Sequence, residues 1–143
     1  MSIRPYRDIL RRDSRQINVG KVKVGGGAPI AVQSMTNTPT VDVSATIQQV
    51  RALEAAGVDI VRISCPDEDS TSALKKIVSA IEVPVVADIH FHYQLALESL
   101  KSGVDCLRLN PGNIRDRGKV ETIVREAKAR QVPIRIGVNF GSL

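Results

Sequence analysis

The sequence contains few of the residues from which several common kinds of site are built. Its 143 residues include two cysteines, two histidines, four tyrosines and phenylalanines in total, and no tryptophan. Two cysteines that lie 41 positions apart exclude a disulfide framework and a Cys-x-x-Cys metal motif. We therefore interpret Cys65 and Cys106 as free thiols of a cytoplasmic protein. Four aromatic side chains are too few for a base-stacking platform, and we therefore expect no nucleic-acid partner.

Long hydrophobic segments are also lacking. No apolar run approaches the ~18 residues of a membrane span, and the N-terminus has no apolar signal-peptide core. The net charge of +5 is uneven, because the first 15 residues hold five arginines against Asp8 and Asp13. Those two acidic residues argue against a transit peptide, which is poor in such residues. We therefore expect a cytoplasmic protein with no membrane partner, whose basic residues form an N-terminal lead.

The remaining pattern alternates short apolar runs with helical segments. Residues 16–24 alternate apolar and polar side chains around Gly20 and Lys21, which predicts a β-hairpin. Beyond it, five short runs read as buried strands, at 29–35, 59–64, 84–90, 105–110 and 133–139. Helical periodicity between them predicts helices over about 43–56, 68–81, 92–102 and 117–130. This alternation indicates an α/β fold with a parallel sheet and right-handed crossovers.

Two architectures fit such a chain, a doubly wound sheet and a (β/α)8 TIM barrel. The glycine fingerprint of a dinucleotide-binding fold is missing from the first βα turn, where residues 33–39 read QSMTNTP. This favours the barrel. We therefore interpret residues 1–28 as a basic lead and β-hairpin, and residues 29–143 as about five of the eight βα units of a barrel that needs ~250 residues.

Polar side chains recur on one face of the predicted strands, near their carboxyl ends. Since strand side chains alternate, Asp88 shares a face with His90, and each strand arginine lies between two apolar neighbours on the other face. The three arginines are Arg62, Arg108 and Arg135. In a barrel the apolar face packs on the helices, and the polar face lines the mouth, where barrel active sites lie.

A single strand arginine is commonly explained by a structural salt bridge, but three in one phase favour an anion site. Burying each arginine costs several kcal/mol unless it is paired. We expect Asp88 to pair with only one of them, which leaves a charge of about +2 at the mouth. An anion of about two charges is the matching ligand, and the planar guanidinium fork suits phosphate or diphosphate oxygens.

Three other features have competing interpretations. His90 and His92 have a spacing that suits a metal pair, but we favour His90 facing the site and His92 starting a helix. Cys65 is interpreted as core, with a catalytic thiol as the lesser alternative. The turn 110–113 is explained by its proline and glycine, although its backbone amides are also placed to contact phosphate.

Several longer segments resemble a known enzyme family. They are RRDSRQINVG from Arg11, IAVQSMTNT from Ile30, DIVRIS from Asp59, VADIHFHY from Val86, GVDCLRLNPGNI from Gly103 and IRIGVNFGSL from Ile134. Together they resemble 4-hydroxy-3-methylbut-2-en-1-yl diphosphate synthase, the iron–sulfur enzyme of the non-mevalonate route to isoprenoids. The resemblance extends over nearly the whole chain.

The resemblance implies an oxidoreductase whose N-terminal TIM barrel binds 2-C-methyl-D-erythritol 2,4-cyclodiphosphate. It also implies a C-terminal domain with a [4Fe-4S] cluster, flavodoxin or ferredoxin as electron donor, a homodimer in the full-length protein, and a two-electron reductive ring opening and dehydration. By motif match, the substrate-binding side chains are Arg62, His90, Arg108, Asn110, Arg135 and Asn139, with Asp88 beside them in the same set. No catalytic residue, cofactor ligand or metal ligand is implied in this chain.

The chain departs from the family pattern in three respects. His92 stands where the family commonly has an acidic residue, so no role is carried over to it. The later barrel strands, with a further phosphate-binding lysine, are missing, and so is the iron–sulfur domain. We therefore expect the N-terminal part of the synthase, inactive by itself. Two rival hypotheses are a pterin- or phosphate-binding barrel of the dihydropteroate synthase type and a non-catalytic phosphate-binding remnant.

Overall fold

The computed structural model describes residues 12–90, 92–110 and 112–138. Most of the basic lead therefore lies outside the described residues. The first element is the predicted hairpin, in which β1 (Ile17–Val19) pairs antiparallel with β2 (Val22–Val24). Its turn contains Gly20 at φ +53°, a left-handed conformation that glycine adopts without steric cost.

A five-stranded parallel sheet with helices between its strands follows. The strands are β3 (Gln33–Met35), β4 (Ile60–Cys65), β5 (Val85–Ile89), β6 (Cys106–Leu109) and β7 (Ile134–Ile136). The helices are α1 (Val43–Ala55), α2 (Glu68–Val78), α3 (Tyr93–Lys101) and α4 (Arg117–Ala129). The strand order is sequential, β3-β4-β5-β6-β7, with no reversal. Because a doubly wound sheet reverses its strand order, this topology confirms the prediction of a partial barrel.

Local signals in the sequence explain where the helices begin and end. The carboxylates of Asp42, Asp67 and Asp116 each accept a hydrogen bond from a backbone N–H in the first turn of α1, α2 and α4. Each such N-cap contributes about 1 kcal/mol to helix stability. Gly57 and Gly103 follow α1 and α3 at φ +87° and +88°, the left-handed conformation that ends a helix. Within the described ranges, no helix is long and apolar enough to cross a membrane.

The main core lies between the outer face of the sheet and the four helices. Alternate strand residues such as Val61, Ile63 and Leu107 are fully buried there against Leu74 of α2 and Ile123 of α4. A large aliphatic side chain buried in this way contributes about 1.5–3 kcal/mol. On β4 to β7 the outer face is therefore apolar, and the polar side chains of these four strands lie on the concave face.

A second, smaller core closes the amino-terminal end of the concave face. Ile60, Val86 and Cys106 of three adjacent strands pack there against Val19 of the hairpin. All four residues are buried, and Val22 and Val24 pack beside them. The hairpin therefore covers the apolar end of the concave face, and Arg62, Asp88 and Arg108 lie nearer its opposite, carboxyl end.

Two segments of the sheet repeat the same construction. Residues 57–64 read GVDIVRIS and residues 103–110 read GVDCLRLN. In each, the aspartate before the strand accepts a backbone hydrogen bond at the start of the neighbouring strand: Asp59 Oδ2 from Val32 N, just before β3, at 2.7 Å, and Asp105 Oδ2 from Val85 N, the first residue of β5, at 2.9 Å. These two contacts hold the strand register and so bring the two following arginines, Arg62 and Arg108, to the concave face on either side of β5.

Candidate functional site

A buried carboxylate lies at the centre of the concave polar face. Asp88, on β5, is only 1% exposed. Its Oδ2 accepts hydrogen bonds from Arg62 Nε at 3.0 Å and from Arg62 Nη2, while its Oδ1 accepts one from Arg108 Nη1 at 3.2 Å. The result is an arginine–aspartate–arginine cluster that joins β4, β5 and β6. Each carboxylate oxygen is used, so the charge of Asp88 is fully shared between two guanidinium groups.

The expectation that Asp88 pairs with only one arginine was wrong. The strand register places Ser64 and Arg108 beside Asp88 on the two neighbouring strands, and Arg62 lies on the same face as Ser64, one inward position earlier. Because the side chain of Ser64 is short, the guanidinium of Arg62 can reach the carboxylate. Asp88 therefore lies between two cations, and the cluster of three residues carries a net charge of +1.

The third arginine is held differently. Arg135, on β7, donates a hydrogen bond from Nη1 to Gln33 Oε1 on β3. Since β3 and β7 are the two edges of the sheet, the sheet is curved enough for one long side chain from each edge to meet across the concave side. Within the described ranges, none of the ion pairs includes Arg135. Its guanidinium group is therefore held by an amide, and no described carboxylate compensates its charge.

The amide and imidazole candidates lie in the loops at the carboxyl end of the sheet. His90 directly follows β5, and its backbone carbonyl accepts a hydrogen bond from Asn113 Nδ2 at 2.9 Å. Asn110 directly follows β6, is 3% exposed, and accepts a hydrogen bond from Gly112 N at 3.0 Å through Oδ1. The β6–α4 loop is therefore tied both to itself and to the end of β5. Asn139 lies outside the described residues.

The metal interpretation of the histidine pair finds no support among the described residues. His92 occupies the N-cap position of α3, which confirms that it begins this helix. No group of three or more histidine, cysteine, aspartate or glutamate side chains in the described ranges is placed to hold a metal ion. The concave face is instead built around cations, which suits an anionic ligand.

Both thiols belong to the cores. Cys65 is fully buried against the outer core, where burial and then the charge of Asp88 raise the pKa of its thiol to about 12. Cys106 lies in the smaller core, and burial raises its pKa as well. A thiol with such a pKa stays protonated near neutral pH and is a poor nucleophile. The interpretation of the two cysteines as core residues is therefore confirmed.

Two residues at this site had no functional signal in the sequence. Gln33 was visible only as part of the first βα turn, although it lies at an inward position of β3 and binds Arg135. Gly137 shares a face with Arg135, but a glycine in a strand-like run gives no indication of what occupies the space beside it. The internal repeat 57–64 and 103–110 could have shown that the arginines of β4 and β6 are equivalent.

Comparison with known families identifies the family of this chain. A family model described as the GcpE TIM-barrel domain matches residues 14–143. The chain belongs to the GcpE TIM-barrel domain family. This membership confirms the fold class, and it confirms the family resemblance found in the sequence segments.

Curated GcpE relatives share well over half of their residues with this chain. Proteins of Zymomonas mobilis, Rhodospirillum rubrum and Granulibacter bethesdensis are 63%, 60% and 61% identical over 143 residues. Each carries the name 4-hydroxy-3-methylbut-2-en-1-yl diphosphate synthase (flavodoxin). The matches cover 100% of this chain and 38%, 37% and 37% of those relatives. The chain therefore spans less than two fifths of their length.

Solved structures of another enzyme share the fold of this GcpE chain. The dihydropteroate synthase of Yersinia pestis aligns with a TM-score of 0.65 at 12% identity, covering 85% of this chain and 45% of that one. The Vibrio fischeri enzyme aligns with a TM-score of 0.64 at 14% identity, covering 86% and 48%. At such low identity, the likeness shows a common barrel architecture alone.

Proposed function

We propose that this chain forms the substrate-binding part of a 4-hydroxy-3-methylbut-2-en-1-yl diphosphate synthase. The substrate is 2-C-methyl-D-erythritol 2,4-cyclodiphosphate, which the whole enzyme opens reductively on the route to isoprenoids. The main support for the proposal is that Arg62, Arg108 and Arg135 share the concave face, in a chain about 60% identical to relatives of that name. The proposed ligands are Arg62, His90, Arg108, Asn110, Arg135 and Asn139, with Asp88 beside them.

The charge balance supports a doubly charged ligand. The Arg62–Asp88–Arg108 cluster carries +1, and Arg135 adds a second positive charge. The side chains of Arg62 and Arg108 are 27% and 12% exposed, so part of each side chain is still accessible. Guanidinium forks bind phosphate oxygens in pairs, and a partly desolvated site strengthens each contact. A cyclic diphosphate therefore matches both the charge and the geometry.

The residues of this chain do not fit a [4Fe-4S] cluster. The sequence has two cysteines, and both are buried with thiol pKa values raised by burial. Cluster ligation requires several thiolates converging on one point, which these two residues cannot supply. We therefore assign the chain substrate binding and orientation, and derive no redox step through its residues. Residues 1–143 by themselves are expected to show no reductive turnover.

Further features of the proposal concern the whole enzyme. Flavodoxin is the proposed electron donor, because the relatives carry that word in their name. A cytoplasmic location, a homodimer and the division between residues 1–28 and 29–143 stay predictions. The dihydropteroate synthase alternative has only the shared fold in its favour. No observation favours a non-catalytic phosphate-binding remnant over the substrate-binding part of the synthase.

Calorimetric titration with two ligands tests the proposal. The natural gene product, with any sequence that flanks residues 1–143, is titrated with the cyclic diphosphate and separately with a dihydropterin diphosphate. We expect binding of the cyclic diphosphate and much weaker binding of the pterin, because the chain belongs to the GcpE family and has only its fold in common with dihydropteroate synthase. Preference for the pterin would overturn the proposal in favour of the dihydropteroate synthase type.

A further inference from the structure

One glycine of the concave face makes room for a site arginine. Gly137 directly follows β7, and its N–H donates a hydrogen bond to the carbonyl of Leu109 on β6 at 2.9 Å. A Cβ atom built on Gly137 would lie 2.5 Å from Arg108 Nε, 2.8 Å from its Nη2 and 3.0 Å from its Cζ. Real Cβ atoms do not approach other heavy atoms so closely. The guanidinium group of Arg108 therefore occupies the space that a side chain at position 137 would fill.

The backbone itself does not demand glycine at this position. Gly137 is not among the glycines with a positive φ, so an L-residue can adopt its conformation. The atoms in the way belong to the far end of one flexible side chain and not to the backbone. An alanine would consequently be accommodated by movement of Arg108, with little strain on the strand. The space thus matters for the placement of Arg108 and not for the fold.

Arg108 is held from both sides by its neighbouring strands. Towards β5, its Nη1 donates to Asp88 Oδ1 at 3.2 Å. Towards β7, the Nε and Nη2 atoms lie over Gly137. Only 12% of its side chain is exposed, so its position depends closely on these two contacts. A methyl group at 137 would press on the guanidinium from the β7 side and alter its direction at the concave face.

We propose that Gly137 is a positioning residue for Arg108, and through it a determinant of affinity for the diphosphate. The inference rests on the proposed substrate site, since it assumes that Arg108 contacts the ligand. Arg135 on β7 and Gly137 just after it then have complementary roles. Arg135 supplies a cation, and Gly137 supplies the room in which the cation of the neighbouring strand is directed at the same ligand.

The test is a double-mutant cycle in the natural gene product. Gly137→Ala is expected to weaken calorimetric binding of the cyclic diphosphate about tenfold, the loss of one charged hydrogen bond. In an Arg108→Ala background the same change is expected to have no further effect, because its target is gone. Gly118→Ala, an exposed helical position where a Cβ meets nothing closer than 3.4 Å, is the matched control and should bind normally.

Two further readouts separate the possible outcomes. Thermal unfolding should be almost unchanged in Gly137→Ala, while the Nε–Hε nuclear magnetic resonance signal of Arg108 should shift. Normal affinity in Gly137→Ala, or an equal loss in the presence and absence of Arg108, would overturn the positioning role. Failure of the unsubstituted protein to bind the cyclic diphosphate would overturn the proposed function instead, so the two failures are distinguishable.

Discussion

Replacing Asp88 by asparagine removes the charge that holds two strand arginines together. The substitution preserves size, so it creates no cavity on the concave face. It places an amide nitrogen, itself a donor, next to guanidinium donors that previously met a carboxylate. Arg62 and Arg108 then repel each other with no intervening negative charge. We therefore expect Asp88→Asn to lower the free energy of unfolding.

The magnitude follows from the burial of the three side chains. Breaking a buried ion pair by removing one partner costs about 3–5 kcal/mol, since the other charge is left uncompensated. The side chain of Asp88 is 2% exposed, but those of Arg62 and Arg108 are 27% and 12% exposed and can turn towards water. Solvent screening reduces the cost accordingly. We expect a loss of about 2–4 kcal/mol, which corresponds to a fall in Tm of roughly 6–12 °C for a chain of this size.

Urea denaturation followed by circular dichroism measures this loss. The matched control is Glu121→Gln, which removes the partner of Arg117 in an ion pair whose side chains are 66% and 92% exposed. An exposed pair of this kind contributes at most about 0.5 kcal/mol, so the control should unfold almost as the unsubstituted protein does. A loss below about 1 kcal/mol in Asp88→Asn would refute the view that this carboxylate holds the two arginines.

Three further predictions concern the rest of the fold. Val19→Ala should lower the free energy of unfolding by about 1–2 kcal/mol, because Val19 is 2% exposed in the smaller core, whereas Val124→Ala, at a site 48% exposed, should have little effect in the same denaturation assay. Asp42→Ala should cost about 1 kcal/mol in that assay through loss of the N-cap hydrogen bond to Ala45 N, and an unchanged midpoint would contradict it. Cys65 should resist a thiol reagent at pH 8 in the folded protein. Because folding raises the pKa of its thiol from 9.0 to about 12, the contribution of Cys65 to stability should be complete below pH 9 and should be lost as the pH rises towards 12. Rapid labelling of Cys65 without unfolding would contradict that prediction.

The elements of this fold follow closely from local pattern. The apolar runs and the helical periodicity located the five strands of the parallel sheet and the four helices of the described residues, because each signal depends only on neighbouring residues. Capping aspartates and the glycines at 57 and 103 explain most of the boundaries. The face of the sheet on which each strand side chain lies was also predictable, since side chains alternate along each strand.

The contacts within the site depend on the curvature of the sheet, which the pattern of residues along the sequence does not reveal. That Asp88 meets two arginines depends on how far the side chains of adjacent strands reach across a curved sheet. Gln33 and Arg135 lie 102 positions apart and meet only because the two edges approach each other. Gly137 matters because it leaves space for the guanidinium group of Arg108, and the residue type alone does not show what fills that space. Strand phase therefore predicted which polar side chains share the concave face, while the pairing among them required the structure.

The most direct test of the central claim is the affinity of Arg135→Ala for the cyclic diphosphate, measured by calorimetry in the natural gene product. We predict a loss of about 1.5–3 kcal/mol, roughly 10- to 150-fold, because a cation without a carboxylate partner among the described residues is removed from the ligand. Arg130→Ala is the control, since Arg130 lies on the surface in an ion pair with Glu126, and it should bind normally. Unchanged affinity in Arg135→Ala, and likewise in Arg108→Ala, would contradict the assignment of the concave arginines to the diphosphate.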